Sequence, residues 1–320
     1  MKKFLLASVG GLLFAVAACS GPSGVDDEPA QDASAVTSPD EDDAVEADTA
    51  ASEENTVDAL QLLKLDCGSI YVADLDIFST EGDYAGQTDT FTDTCWLVRH
   101  PEGDLLWDLG LPGVLTTQDE QTTGVFTVSL DTTIADQLAE RGMAMSEIEY
   151  VAISHSHFDH AGQVDQIDGS TWLVNQREYD HMFPEPEVSE DAPADDIEAE
   201  GGTDSGNQFP GFEVLNHQII DDNHDVFGDG SVVIFMTPGH TPGHSSLIVN
   251  LPETGPVMLT GDLWHRTESR ELGRVPQFNT NVEETRASMQ VFEDKARELG
   301  AKVIIQHEPT DVDDLPEVMR

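Results

Sequence analysis

Short apolar blocks separated by turn residues run through most of the chain and predict strands more often than helices. Residues 60–68 read as a strand that ends at a turn. Residues 94–100 and 105–109 flank Pro101-Glu-Gly-Asp104, a hairpin signal. Residues 133–142 read as a helix with Ile134, Leu138 and Ala139 facing inward and Gly142 as its stop. Residues 148–154 form a buried strand, 171–175 another, and 176–182 begin a helix. Residues 184–208 break the pattern with three prolines, many acids and Gly201-Gly202, which reads as a surface insertion. Regularity resumes at 212–215, 231–236, 245–250 and 256–260. Thr280-Asn-Val-Glu283 has the form of a capping box. It opens a helix in which Met289, Phe292, Ala296 and Leu299 recur at helical spacing before Gly300. A last strand spans 302–306. Two strand-rich blocks, each accompanied by helices, fit an α/β (α+β) sandwich of two sheets with helices outside, αββα.

The ends of the chain change this picture. Lys2 and Lys3 precede an apolar run that is short for a membrane span and has the shape of a secretory signal over residues 1–18. It closes on Val16-Ala17-Ala18-Cys19, which resembles a lipobox with Cys19 as the lipidated first residue of the mature chain. Ser20 resembles the outer-membrane class of such signals. Localisation to the cell envelope, at the outer membrane or in the periplasm, is therefore expected. Residues 19–57 then form an acidic linker with almost no large apolar side chain, too poor in burial to fold. The folded domain is expected over 58–320.

The formal net charge is −49, with 63 acids against 14 Lys and Arg. Most of the acids lie after the linker. A basic face for nucleic acid is excluded, and polyanionic substrates are repelled at long range. Three cysteines are present. Cys19 is assigned to the lipid. Cys67 and Cys95 lie in strands and an oxidising compartment would allow one disulfide, but two buried thiols are the favoured reading.

Five segments carry chemistry. His155-Ser-His157-Phe-Asp159-His160 follows a buried strand, so alternate residues aim at one point while Asp159 and His160 turn to a second. Three imidazoles and a carboxylate in six residues are a dense set of borderline metal ligands. In Thr237-Pro-Gly-His240-Thr-Pro-Gly-His244 either histidine could bind metal. Asp262, after Gly261 at a strand exit, is suited to bridge two cations. His307 follows the last strand. Asp108, flanked by apolar residues, is expected to orient a histidine.

In this order the motifs resemble those of the metallo-β-lactamase-fold superfamily of dinuclear hydrolases, over residues 58–320. The resemblance implies the αββα sandwich and two divalent metal ions, with zinc expected. It assigns His155, His157 and His244 to one metal, and Asp159, His160 and His307 to the other. Asp262 is the bridge, and His240 is a loop histidine. A histidine at 157 favours hydrolysis over iron redox chemistry, and Asp262 counts against a true β-lactamase. Two close cations lower the pKa of a shared water and stabilise the oxyanion and leaving oxygen. Asp159 is placed to pass a proton to the leaving group.

Residues 65–70, 95–103 and 105–111 resemble the amino-terminal part of N-acyl homoserine lactonases. That likeness implies a small ester or lactone substrate. It departs at His265, where such lactonases often carry a tyrosine that assists the carbonyl oxygen; His265 is expected to donate that hydrogen bond instead. Arg266, Arg270 and Arg274 read as a solvated helix face. A glyoxalase II-type thioesterase, which would need a basic pocket for an anionic conjugate, and a phosphotriesterase are the rival activities. A lipoprotein that binds metal without catalysis is the rival outside enzymes.

Overall fold

The computed structural model describes residues 57–185 and 209–320. The segments expected to be a signal, a lipobox, nearly all of an acidic linker and nearly all of the 184–208 insertion lie outside those residues. No described helix is long and apolar enough to cross a membrane.

The first sheet holds β1 (Gln61–Val72), β2 (Asp89–His100), β3 (Gly103–Trp107), β4 (Gln121–Thr123), β5 (Phe126–Ser129), β6 (Tyr150–Ala152), β7 (Thr171–Asn175) and β8 (His217–Ile220). The second holds β9 (Asn223–Asp225), β10 (Val232–Met236), β11 (Ser245–Leu251), β12 (Gly255–Leu259) and β13 (Lys302–Ile304), while β14 (Val318–Met319) pairs with β1. The first sheet runs in the order β4-β5-β1-β2-β3-β6-β7-β8, and the second in the order β13-β12-β11-β10-β9. Six helices are described: α1 (Ile134–Glu140), α2 (Gln176–Met182), α3 (Pro210–Glu213), α4 (Thr267–Leu272), α5 (Val282–Leu299) and α6 (Pro309–Val312).

Strand alternation builds the layers. Leu62, Trp96, Val98 and Trp107 of the first sheet pack against Val232, Ile234, Leu247 and Val257 of the second. The opposite face of the first sheet, with Leu65, Leu97 and Leu106, meets Ile134 and Leu138 of α1 and Phe212 of α3. Met289, Phe292 and Ala296 of α5 cover Phe235, Ile248 and Met258 of the second sheet. Helix, sheet, sheet and helix thus follow in that order, as expected.

Several expectations shift locally. The first strand continues past Gly68 to Val72, because a β-bulge between Asp66 and Gly68 keeps it paired with β2. Ala139 is exposed and Gln137 is buried in its place, because the Gln137 amide bonds both backbone groups of Asp66 beside the bulge. Asn281, not Thr280, caps α5, accepting from the backbone N–H of Glu284. Cys67 and Cys95 form a disulfide across β1 and β2, with their Cα atoms 5.7 Å apart, so the expectation of free thiols is corrected. Leu65 pairs with Cys95, and Cys67, two residues on from Leu65, is the extra residue of the bulge.

Candidate metal centre

Strand exits build the site. β3 and β6 run parallel with Trp107 opposite Ala152, so Asp108 and the segment that begins at Ile153 leave the sheet side by side. In the second sheet β12 and β13 are also parallel, with Leu259 opposite Ile304, and deliver Asp262 and His307 together. The loop between β10 and β11 supplies His240 and His244.

Two groups of side chains converge. His155, His157, His240 and Asp262 form one, and Asp159, His160 and His307 form the other, each with its ligand atoms within 4.8 Å of one another. Asp262 faces both. Its Oδ1 lies 3.2 Å from His160 Nε2 and 3.0 Å from His307 Nε2. Its Oδ2 lies 3.2 Å from His240 Nε2 and 3.5 Å from His155 Nε2. One carboxylate thus presents one oxygen to each group, the arrangement expected of a bridge.

The two histidines of the TPGHTPGH loop have roles opposite to those expected. His244 is wholly committed to protein. Its Nδ1 meets the Thr237 carbonyl at 3.0 Å and the Thr237 hydroxyl at 2.9 Å, and its Nε2 accepts from the Asp262 backbone N–H at 2.9 Å. His240 instead brings Nε2 to within 3.1 Å of His157 Nδ1, while its Nδ1 faces Asn279 Oδ1 at 3.2 Å. The structure therefore seats His240 among the candidate ligands and makes His244 a brace for Asp262.

His265 also departs from expectation. Its Nε2 donates to Asp262 Oδ2 at 2.8 Å, so that atom is engaged by the carboxylate and not aimed at a substrate oxygen. Its ring stacks on His307 at 5.6 Å and meets the edge of Phe78 at 4.6 Å.

Asp108 does what was expected of it. Its Oδ2 sits 3.1 Å from His160 Nδ1 and accepts from Gln306 Nε2 at 2.8 Å, and its Oδ1 accepts from the Ser154 N–H at 2.6 Å. It holds φ at 63°, a left-handed conformation that is rare outside glycine and tolerated best by Asp and Asn. His307 is aligned through Nδ1 by the Thr92 carbonyl at 2.9 Å.

The donor set fits divalent cations. Imidazole nitrogens face each other at 2.8 Å between His155 and His157 and at 3.1 Å between His160 and His307. Nitrogens bound at about 2.0–2.1 Å to a tetrahedral zinc would stand roughly 3.3–3.4 Å apart. Asp262 Oδ1 is buried and accepts no well-formed hydrogen bond. A buried carboxylate oxygen left in this way calls for a cation.

Electrostatics separates the two groups. Burial, followed by the charges of neighbouring histidines, holds His155 and His157 well below the usual imidazole pKa. Burial also opposes charge on His160 and His307, but nearby carboxylates outweigh it. Asp262, Asp108 and Asp159 hold His160 well above the usual value, and Asp262 with Asp159 pushes His307 up to about 9. Burial disfavours the Asp262 carboxylate, yet His265, His160, His307 and His155 together hold its pKa well below the carboxylate range.

Sequence reasoning missed the residues that brace this array. Gln306 Oε1 accepts from the Gly261 N–H at 3.1 Å and from Trp107 Nε1 at 3.3 Å, while its Nε2 donates to Asp108 and to the Thr94 carbonyl. Glu178 accepts from the Ser156 N–H at 2.8 Å, the Thr241 hydroxyl at 2.7 Å and the Gly243 N–H at 2.9 Å. A signal was present: Asn175 and Glu178 have the spacing of a helix cap, and the Asn175 side chain does cap α2. The Glu178 side chain, however, turns to the loops of the site. Arg266, Arg270 and Arg274 do not form a solvated helix face: only Arg270 lies in α4, and all three are partly buried in ion pairs to Asp89, Glu293 and Asp83.

The profile of the metallo-beta-lactamase superfamily matches residues 89–307. The N-acyl homoserine lactonase AttM of Azorhizobium caulinodans is 30% identical over 223 residues, covering 67% of this chain and 81% of that protein. A solved N-acyl homoserine lactone hydrolase, with N-hexanoyl-L-homoserine at its catalytic metal centre, aligns with a TM-score of 0.65 at 22% identity. That alignment covers 81% of this chain and 97% of that one. The dizinc quorum-quenching lactonase AidC aligns with a TM-score of 0.57 at 18% identity, over 81% and 89% of the two chains. At these identities the structural likeness speaks to the fold alone.

Proposed function

We propose, from the premise that this chain belongs to the metallo-β-lactamase superfamily, that it opens lactone rings by hydrolysis and that N-acyl homoserine lactones are its substrates. The observation that carries this reading is a single carboxylate, Asp262, shared by two histidine-rich groups beside a wall of aromatic rings. Phe278 lies 5.8 Å from His240 and 6.1 Å from His157 between ring centroids, and Phe78 lies 5.3 Å from Phe278. Such a wall suits a neutral, partly apolar acyl substrate. An anionic glutathione conjugate would need cations, whereas the three arginines that follow His265 are paired with acids.

The cations proposed are zinc, held by His155, His157 and His240 on one side and by Asp159, His160 and His307 on the other, with Asp262 between them. When bound, they supply Lewis acidity to a carbonyl and lower the pKa of water. The chain does the rest. Asp108 and the Thr92 carbonyl fix the orientations of His160 and His307. His244 and Gln306 hold the backbone of the Asp262 turn. Asp159 has the most exposed of the carboxylates in the two groups, 12% against 3% for Asp262, and is the group assigned to carry a proton to the departing ring oxygen. His265 orients Asp262 Oδ2.

The test is proton release by the metal-loaded protein on a panel of lactones, with glutathione thioesters and phosphotriesters run beside it. Lactones should give the highest kcat/KM; a comparator that exceeds every lactone tried would refute the assignment. We also propose, from the likeness of Val16-Ala17-Ala18-Cys19 to a lipobox, that the enzyme is anchored to the cell envelope through Cys19. Cys19→Ala should move it from the membrane to the soluble fraction at unchanged specific activity, and continued membrane association would contradict the anchor.

A further inference from the structure

Glu178 is buried, 1% exposed, and its carboxylate bonds to the neighbours of the candidate ligands in the chain. Its carboxylate joins the two loops that carry the first group of candidate ligands. Oε1 accepts from the N–H of Ser156, the residue between His155 and His157. Oε2 accepts from the Thr241 hydroxyl, one residue after His240, and from the Gly243 N–H. These are charge-assisted bonds in a dry interior, the stronger class of hydrogen bond.

The carboxylate is itself fixed. Asn175 Oδ1 accepts from the Glu178 N–H at 2.9 Å, and Asn175 Nδ2 donates back to the Gly243 carbonyl. A Cβ at residue 243 would collide with the Glu178 backbone nitrogen and with Asn175 Oδ1, so only glycine lets the loop come this close.

We propose that Glu178 is a positioning residue that sets the separation of His155 and His157 from His240, and so tunes one cation site selectively. The inference rests on the two-cation reading above. The selectivity follows from the supports of each group. His160 and His307 are braced by Asp108 and the Thr92 carbonyl, whereas Glu178 ties the His155–His157 segment to the His240 loop, beside one backbone bond from the Ser245 N–H to the Ser154 carbonyl. Glutamine cannot replace the carboxylate. If its oxygen takes the place of Oε2, which serves two donors, its NH2 confronts the Ser156 N–H. If it turns over, the Thr241 hydroxyl can rotate to accept from the NH2, but the Gly243 N–H is left facing a donor.

The test measures cobalt(II) affinity of the full chain by visible absorption against a competing chelator. It uses two backgrounds, His307→Ala, which keeps the group of His155, His157 and His240 intact, and His240→Ala, which keeps the other. In the first background Glu178→Gln should weaken binding by about 10–100-fold, as loss of a group that orients metal ligands typically does. In the second it should change binding by no more than about twofold, the usual limit for uncoupled positions. Thr241→Ala removes one of the three donors without touching the carboxylate. It should weaken the first background alone, by less, and it decides the matter if Glu178→Gln does not fold. Equal losses in both backgrounds, or none in the first, overturn the inference. Parent variants that bind no cobalt would instead sink the two-cation reading on which it rests.

Discussion

Asp108→Asn separates charge from shape at the brace of His160. Asparagine shares the tolerance of aspartate for the φ of 63° at this position, so the backbone should be kept. The carboxylate accepts from three sides: the Ser154 N–H, the Gln306 amide and His160 Nδ1. A carboxamide can satisfy only part of this. If its oxygen keeps the place of Oδ2, its NH2 faces the buried Ser154 N–H, and stranding that donor costs about 1–3 kcal/mol. If it turns over, the NH2 faces His160 Nδ1. The imidazole then answers with the tautomer that carries its proton on Nε2, the atom that faces Asp262. Gln306 gives no relief by flipping, because its Oε1 already serves the Gly261 N–H and Trp107 Nε1.

The expected cost to the metal-free fold is about 2 kcal/mol, or roughly 4–8 °C in Tm for a domain of this size. The expected cost in cation affinity is about 10–100-fold for the group of Asp159, His160 and His307, and smaller for the other group, which Asp108 reaches only through Ser154 and Gln306. The Ser154 hydroxyl, 3.1 Å from His160 Nδ1, can take over part of the orienting bond and favours the lower end. Differential scanning fluorimetry of the metal-free protein and chelator competition with the loaded one measure the two costs. An unchanged Tm together with unchanged affinity would refute the role given to Asp108.

Other outcomes follow from the same geometry. His240→Ala should lower bound metal from about two equivalents to about one by elemental analysis. His244→Ala should keep both while losing about 1–3 kcal/mol of stability, because it strands the Asp262 N–H; the reverse pattern would restore the other assignment. Cation affinity should rise with pH up to about 9, roughly tenfold per unit for each proton displaced, because His307 must give up its proton to bind. The same shift means that His307 stabilises the metal-free fold most below about pH 6.5, an effect lost as pH climbs toward 9. Chelator competition at several pH values checks the first statement, and an affinity independent of pH would contradict it.

The parts of the site that were legible in the sequence are those whose meaning is local. Three imidazoles and a carboxylate in six residues after a buried strand announce a metal site wherever the strand ends up. Strand alternation likewise announces which side of each sheet is covered. The TPGHTPGH loop shows the limit. Both histidines follow the same Thr-Pro-Gly, so local chemistry cannot rank them. What distinguishes them is tertiary: Gly239 packs against Thr285 of α5, while Gly243 packs against α2, and His244 is thereby turned toward Asp262. The disulfide was hidden for a similar reason, since it depends on the register in which β1 pairs with β2. Ala139 is not the inward position that periodicity suggests, because the Gln137 amide turns in to bond the backbone of the bulge in β1.

The braces of the site also explain how two cation sites can be tuned apart while sharing a ligand. Glu178 serves the group of His155, His157 and His240, and Asp108 serves the group of His160 and His307. Gln306 stands between them. It is fully buried, holds the N–H of Gly261 at the start of the Asp262 turn, and donates to Asp108 through the other end of the same amide. Gly261 adopts φ 53°, and a Cβ there would press on His244 Nε2, the atom that receives the Asp262 N–H. The bridging carboxylate is therefore positioned through its backbone by residues that touch both halves, and its two oxygens have little freedom to favour one half over the other. A change at Glu178 leaves the supports of the bridge in place, whereas a change at Gln306 or Gly261 must be felt by both halves and one at Asp108 reaches the bridge through Gln306.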